Sequence, residues 1–218
     1  MKPAPLPEDE ASRLKALQQL QLLDTLPEEV YDDITRIATE ITGTSTALLT
    51  LVDKDRQWFK SRQGLEVSET PREYSFCAHA ILDPNEVFIV PDARYDERFH
   101  DNPLTTGEPH VVFYAGVPVR DAEGHALGSL CVIDNRPREL PDHKIEALKA
   151  LAKLVNTHFE LRMNKMKLAQ LQPSVAAINN AVEALMKNTP QAGQVPHLAS
   201  IQQAANALQT IIEEQNPK

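Results

Sequence analysis

Cysteine, positive charge and long apolar runs are all scarce in this sequence, and each shortage excludes a class of function. Two cysteines, Cys77 and Cys131, cannot form a disulfide framework, so we expect reduced thiols in a cytoplasmic protein. The formal net charge is −9, from 22 Lys and Arg against 31 Asp and Glu. That balance argues against nucleic acid and anionic lipid surfaces as partners.

No apolar run approaches the ~18 residues that span a bilayer, so we expect no membrane segment. The first residues, MKPAPLPEDEAS, place proline and acidic residues where a signal peptide needs an apolar core, and export is not expected. A chain of 218 residues can bury a core that needs no metal or disulfide. We predict no cofactor and no metal.

The order of hydrophobic patterns predicts an α+β domain. Residues 1–9 form a flexible tail, and spacings of three and four predict two amphipathic helices, at about 10–23 and 28–42. A short helix should begin after Ser75, a good N-cap. Apolar runs between turn signals predict strands at 45–53, 56–64, 86–92, 111–121 and 125–135. Helices at both ends of these strands fit an antiparallel sheet.

The C-terminal part reads as helical. A long helix should open at Pro141, and it carries two apolar stripes. Beyond Pro173 the spacing predicts two more amphipathic helices joined by a turn-rich link at 187–196, a hairpin within residues 166–218.

Six blocks of the sequence, in order, resemble the GAF domains of bacterial signalling proteins. The blocks are LLDTLPEEVYDDITRIA, LVDKDRQWFKSRQGL, ETPREYSFCAHAI, FIVPDARYDERFHDNP, FYAGVPV and GHALGSLCVIDNRPREL. The resemblance covers roughly residues 10–165 and is strongest to the modules that precede diguanylate cyclases and histidine kinases. It implies a six-stranded antiparallel sheet with helices on both faces, and a small-molecule pocket roofed by residues 75–82 and 92–108.

The pair Cys77 and His79 raises the question of chemistry. On a helix, residues two apart point about 200° apart, so they cannot jointly hold a metal or pass a proton. Further zinc ligands would have to come from Cys131, Asp92 or His100. A thiol–imidazole nucleophile meets the same geometric objection, although Cys131 could face either residue.

Other activities known on this scaffold find little support. The GAF-type reductase of free methionine sulfoxide uses several cysteines near its pocket, and only Cys77 lies in that region here. Bilin-binding members attach their chromophore through a cysteine that the stretch DNPLTTGEPH lacks. The Asn-Lys-Phe-Asp-Glu signature of cyclic-GMP-binding members is not traceable.

We therefore select candidate ligand-binding residues from the roof and the sheet, against the alternative that they only pack the core. They are Phe76, Cys77, His79, Asp92, Arg94, Phe99, Phe113, Tyr114, Arg120 and Cys131.

The hairpin carries no acceptor histidine on its first helix and no Gly-rich ATP-binding block follows, so kinase and cyclase activities are not expected. We expect a non-enzymatic sensory or regulatory module that binds an unknown small molecule, and in addition a separate signalling protein as a partner. The alternatives are a thiol-based reductase using Cys77 and Cys131, and a purely structural dimerisation module.

Apolar stripes on the C-terminal helices predict a homodimer, because a monomer would expose them. The competing arrangement folds the hairpin back on its own domain. The predicted interface residues are Leu148, Val155, Phe159, Val182, Leu185 and Leu208.

Overall fold

The computed structural model describes residues 1–188 and 196–215. The chain has two compact units, Met1–Glu160 and Leu161–Lys218. The domain limits suggested by the sequence, 10–165 and 166–218, stay a prediction.

Two helices precede the sheet, as the spacing predicted. Helix α1 spans Glu10–Leu20 and helix α2 spans Glu29–Thr42. Gly43 ends α2 in the left-handed conformation with φ 69°, and its N–H donates to the carbonyl of Thr39. A glycine meets that conformation at little cost, which explains why the helix stops there.

Six strands form one antiparallel sheet, which confirms the predicted α+β class. The strands are β1 (Thr46–Val52), β2 (Arg56–Gln63), β3 (Glu69–Pro71), β4 (Phe88–Val90), β5 (Phe113–Arg120) and β6 (Ala126–Asp134). Their order is β3-β2-β1-β6-β5-β4, so β1 and β6 lie at the centre. Both central strands are buried along their whole length. Side chains alternate between a helix-covered face and a second face.

The second face is covered by short segments. Helix α3 (Phe76–Ala80) begins at Ser75, whose Oγ accepts from the N–H of Ala78, as the N-cap prediction required. Helix α4 (Pro103–Thr106) begins in the same way at Asn102, whose Oδ1 accepts from the N–H of Leu104. These caps fix the two segments over the sheet, where the site lies.

Helix α5 runs from Asp142 to Asn188 and passes through Pro173, so the predicted break at that proline is wrong. An interior proline costs about 3 kcal/mol. Apolar residues continue on both sides at spacings of three and four, and of these Val175 and Val182 are buried. Helix α6 spans Pro196–Gln215. The predicted link at 187–196 lies largely outside the described residues.

The predicted dimer contacts need correction. Leu148, Val155 and Phe159 are fully buried within the first unit, where Phe159 packs against Tyr31 with ring centroids 6.2 Å apart. Val182 is buried as well. Leu148, Val155 and Phe159 therefore belong to a stripe that packs within the first unit, and they leave no surface there for a partner.

Different apolar side chains of α5 and α6 are exposed. Leu185 and Leu208 are each about half exposed, and their place in a dimer interface stays a prediction. Among the side chains of the second unit that the structure describes, the other exposed large aliphatic residues are Leu161, Leu171, Ile178, Ile201 and Ile211. Among the described helices, none combines the length and the apolar character that crossing a bilayer requires.

Candidate functional site

A cavity of about 490 Å³ lies between the sheet and its short covering segments. That volume falls within the range of about 300–1,000 Å³ that is usual for small-molecule sites. The floor comes from β1, β2, β5 and β6, and the cover comes from α3 and the segments 64–71 and 104–111. The apolar lining residues are Leu48, Phe59, Leu65, Val67, Pro71, Phe76, Leu104, Pro109, Val111 and Ile133.

The polar groups of the cavity are acidic or neutral. Glu66, Glu69 and Glu108 line it and are exposed, so they lie toward solvent. Thr70 also lines it, and its buried Oγ1 has no hydrogen-bond partner among the described residues. Within residues 1–188 and 196–215, no Lys, Arg or His lines the cavity. The site therefore favours an uncharged or cationic molecule over an anion.

Four of the ten candidate residues line this cavity: Phe76, Cys77, Tyr114 and Cys131. Phe99 lies behind them and supports the cover, because its ring stacks on Phe76 with centroids 3.9 Å apart. These four residues come from α3, β5 and β6, which meet at the cavity.

The other candidates lie elsewhere. Phe113 is buried on the helix-covered face, since it precedes Tyr114 on the same strand. Asp92 accepts hydrogen bonds from Nε and Nη2 of Arg94, at 2.9 and 2.6 Å. Arg120 donates to Oδ1 of Asn85 at 2.8 Å. The polar contacts that were assigned to these residues are therefore made with neighbouring protein groups.

His79 points away from Cys77, in agreement with their helical spacing. Its Nε2 lies 3.1 Å from the carbonyl oxygen of Lys2, and its ring stands edge-on to Phe99 at 4.9 Å. Burial lowers the pKa of His79. The imidazole therefore serves the packing of the cover rather than the cavity.

The cavity wall at 64–71 was not among the predicted site segments. That segment contains only the three-residue strand β3, which is too short for its hydrophobic pattern to be recognised. Gln57 was missed too, and its Oε1 accepts from the hydroxyl of Ser75. A cap residue that also contacts β2 could not be inferred from spacing alone.

The two cysteine sulfurs are the chemically reactive atoms of the cavity. Cys77 Sγ lies 3.7 Å from Cys131 Sγ, and both thiols are free. The hydroxyl of Tyr114 donates to Cys77 Sγ at 3.2 Å and lies 3.2 Å from Ser129 Oγ. Gly116 makes room for this hydroxyl, because a Cβ there would lie within van der Waals overlap of Tyr114 Oη.

These contacts shift the pKa values of the two thiols in opposite directions. Burial alone would raise the pKa of Cys77, but hydrogen bonding between its sulfur and neighbouring groups, first of all Cys131 and Ser129 and also Tyr114, lowers that pKa overall. The interaction with Cys77, together with burial, raises the pKa of Cys131 well above its usual value. Cys77 is therefore the sulfur that ionises first, and Cys131 keeps its proton.

One cluster among the described residues has metal-capable groups, and it lies at the β5–β6 turn. The ligand atoms of Asp121, Glu123 and His125 lie within 4.8 Å of one another. Asp121 Oδ1 accepts from the backbone N–H of Glu123 and of His125, and Oδ2 lies 2.9 Å from His125 Nδ1. These bonds account for the cluster as a turn cap, and none of the three residues lines the cavity.

Solved structures show the same fold at low identity. The chain is similar to the blue-light absorbing form of the PixJ GAF domain of Thermosynechococcus elongatus, with a TM-score of 0.53 and 14% identity over 77% of this chain and 96% of that chain. It is also similar to the GAF domain of an Acinetobacter phosphoenolpyruvate-protein phosphotransferase, with a TM-score of 0.52 and 16% identity, covering 71% and 94% of the two chains.

A sequence relative corrects one prediction. The chain is 48% identical over 152 residues to the protein named cyclic di-GMP phosphodiesterase PA2567 of Pseudomonas aeruginosa. The match covers 69% of this chain and 26% of that protein, so the chain spans about a quarter of its relative's length. The prediction of a non-enzymatic protein is overturned, because a relative this similar bears the name of an enzyme.

The family assignment agrees with the sheet order, the covered cavity and the solved structures. A family model described as GAF domain matches residues 26–159, which contain α2, all six strands and the start of α5. The chain belongs to the GAF domain family.

Proposed function

We propose that this GAF domain is the sensory part of a cytoplasmic cyclic di-GMP signalling system, and that a small apolar molecule, neutral or cationic, binds its cavity and changes phosphodiesterase activity. The observation that carries the proposal is the cavity of about 490 Å³ with an apolar lining, an acidic mouth and a buried Thr70 hydroxyl. The link to phosphodiesterase activity comes from the relative's name.

The acidic groups at the cavity indicate that the sensed molecule differs from cyclic di-GMP, the substrate of the signalling reaction. Cyclic di-GMP carries two phosphate charges, which the carboxylates of Glu66 and Glu108 would repel. Glu69 contributes less, because its Oε2 is paired with Nη1 of Arg56 at 2.7 Å. In this proposal the cavity is not the site at which cyclic di-GMP is hydrolysed, and it holds a different molecule.

Three compounds that share one ring test the charge preference. Indole is neutral, tryptamine is cationic and indole-3-acetate is anionic. At ten times its dissociation constant a bound compound stabilises the fold by about 1.4 kcal/mol, which raises Tm by about 3–6 °C. We expect such a shift with indole or tryptamine, and none with indole-3-acetate or cyclic di-GMP. A shift with the two anions alone would contradict the proposal.

A cavity-blocking variant provides the control. Leu65→Trp places a larger side chain at the mouth, and it should abolish the ligand-induced Tm shift while the protein stays folded. Leu26→Trp makes the same change at a side chain that is 84% exposed outside the cavity, and it should keep the shift.

The coupling of ligand binding to phosphodiesterase activity is tested by replacing the matching segment of PA2567 with residues 1–160 of this chain. The stabilising compound should change cyclic di-GMP hydrolysis by this chimera, and Leu65→Trp should remove the response.

We further propose that the protein is a homodimer formed by its second unit. The support is a row of half-exposed side chains on α5: Leu161, Leu171, Ile178 and Leu185, the last three spaced by seven residues. A seven-residue apolar repeat is the pattern through which helices pair.

The dimer is tested by charge insertion. Leu171→Glu together with Ile178→Glu should give a monomer with a mass near 24.3 kDa by light scattering, where the unaltered protein gives twice that mass. Leu26→Glu, at an exposed position of the first unit, should leave the mass unchanged. A monomeric unaltered protein at micromolar concentration would contradict the dimer.

A further inference from the structure

Two thiols meet inside the cavity from opposite layers of the first unit. Cys77 belongs to the five-residue helix α3 of the cover, and Cys131 belongs to the central strand β6. Both line the cavity, and their sulfurs lie 3.7 Å apart. Buried cysteines often serve only as small apolar side chains. That role requires neither a second thiol nor a hydroxyl directed at the sulfur, and both are present here.

We propose that Cys77 and Cys131 are a reversible oxidation site, at which an organic hydroperoxide that enters the cavity converts the two thiols into a disulfide. This inference goes beyond ligand sensing, because it assigns a covalent reaction to the cavity floor. The apolar lining selects a peroxide with an apolar body, such as cumene hydroperoxide.

Hydrogen bonds prepare Cys77 as the attacking group. The thiolate is the nucleophile of a cysteine, and it forms more readily where donors face the sulfur. The Tyr114 hydroxyl donates to Cys77 Sγ at 3.2 Å, and Ser129 Oγ lies 3.2 Å from that hydroxyl. Burial raises the pKa of Tyr114, so the phenol keeps the proton that it donates.

The reaction balances in two steps. In the first step the Cys77 thiolate attacks one oxygen of the hydroperoxide, an S–O bond forms, the O–O bond breaks, and an alcohol leaves after taking up a proton. In the second step Cys131 Sγ attacks the sulfur of the Cys77 sulfenic acid, an S–S bond forms, and the S–O bond breaks. Hydroxide leaves with the Cys131 proton as water. Two thiols supply the two electrons that reduce the O–O bond.

The second step needs only a short movement. A disulfide has its sulfurs about 2.05 Å apart, so they must approach each other by roughly 1.6 Å. We expect rotation of the Cys77 side chain, together with a small shift of α3, to supply this movement. The bond would fasten the cavity cover to the centre of the sheet, and a dithiol would release it.

The test treats the full chain with one equivalent of cumene hydroperoxide and then counts its thiols. We expect both thiols to disappear, the mass to fall by two hydrogen atoms, and dithiothreitol to restore both. Cys131→Ser should stop at a sulfenic acid on Cys77 that dimedone traps. Cys77→Ser should keep its remaining thiol unmodified. Persistence of both thiols in the folded protein, or disulfides only between chains, would overturn the proposal.

Tyr114→Phe separates a role in reactivity from a role in packing, because it removes only the hydroxyl. The unaltered protein should react more slowly as pH falls through the pKa of Cys77. That pKa is lowered, so the decline should begin at a lower pH than for a free thiol. Tyr114→Phe should move the decline to higher pH while Tm, measured on the reduced protein, shows that the fold persists. An unchanged pH profile would contradict the role given to Tyr114.

Discussion

Replacement of Gly128 by alanine is expected to destabilise the first unit by about 3 kcal/mol or more, which lowers Tm by about 6–12 °C. A Cβ at this position would lie in severe overlap with the carbonyl oxygen of Thr50 and 2.9 Å from the Cα of Leu51. Both obstacles are backbone atoms of β1, so no side-chain rotation can relieve the clash. The substitution therefore has to force apart two hydrogen-bonded central strands.

The surrounding register makes this movement costly. Gly128 is paired with Leu51 on β1 and with Val119 on β5, and β1 is held by β2 on its far side. Thr50 also donates from its Oγ1 to the carbonyl of Ser129 at 3.3 Å. A shift of β1 would disturb these contacts and the cavity floor together.

Gly43→Ala is the matched control, because it has the opposite problem. No atom lies within 4 Å of the added Cβ, but φ is +69°, which costs about 1 kcal/mol. Urea unfolding of both variants compares the steric effect with the conformational one. A Gly128→Ala variant that is no less stable than Gly43→Ala would show that β1 yields freely.

The sheet and its caps could be predicted because their signals are local. The run STALLTLVD is apolar on both faces, as a central strand must be, and Ser75 precedes a short helix as a cap must. Gly43 similarly ends α2. In each case the residues that produce the element are adjacent in the sequence, so pattern and propensity agree.

The sequence did not predict which of two similar apolar stripes on a helix packs within the chain. The first part of α5 carries two apolar stripes of similar spacing, and the stripe with Leu148 and Val155 packs within the chain while Leu154 is half exposed. Spacing alone does not distinguish them, since the deciding contacts come from residues far away in the sequence, such as Tyr31.

The burial of a charged side chain could not be predicted from the sequence either, and Arg13 is the clearest case. It lies on α1 among polar neighbours, and its sequence context is that of a solvent-exposed helix face. The structure buries it fully. Its partners are Glu10, one turn before it, and a backbone carbonyl that belongs to β1. Only the first of these could have been read from the sequence.

Arg13→Met is expected to destabilise the protein by about 3 kcal/mol at neutral pH, because it removes one partner of a buried ion pair. Arg13 donates from Nε and Nη2 to the two oxygens of Glu10, at 2.7 and 2.8 Å, and from Nη1 to the carbonyl of Val52 at 2.7 Å. Methionine would keep much of the apolar volume. It would leave the Val52 carbonyl buried without this donor, and it would leave Glu10 with Arg72 alone.

The destabilisation caused by Arg13→Met should depend on pH, because it depends on the ionisation of Glu10. Burial by itself raises the pKa of Glu10, but the hydrogen bonds from Arg13 and Arg72 outweigh it and lower the pKa from 4.5 to about 2. A depressed carboxyl pKa stabilises the fold above pH 4.5, and that stabilisation is lost as pH falls from 4.5 toward about 2. The difference in the free energy of unfolding between the unaltered protein and Arg13→Met should therefore become smaller as pH falls over this interval.

Arg36→Met provides the control, since Arg36 and Asp33 form the same type of pair, three residues apart on α2, but exposed to solvent. That substitution should change stability by less than about 0.5 kcal/mol at any pH, because surface pairs contribute little. Urea unfolding of the three proteins at neutral and acidic pH separates the outcomes. If Arg13→Met proved as mild as Arg36→Met, or equally costly at both pH values, the buried pair would not be what holds α1 against β1.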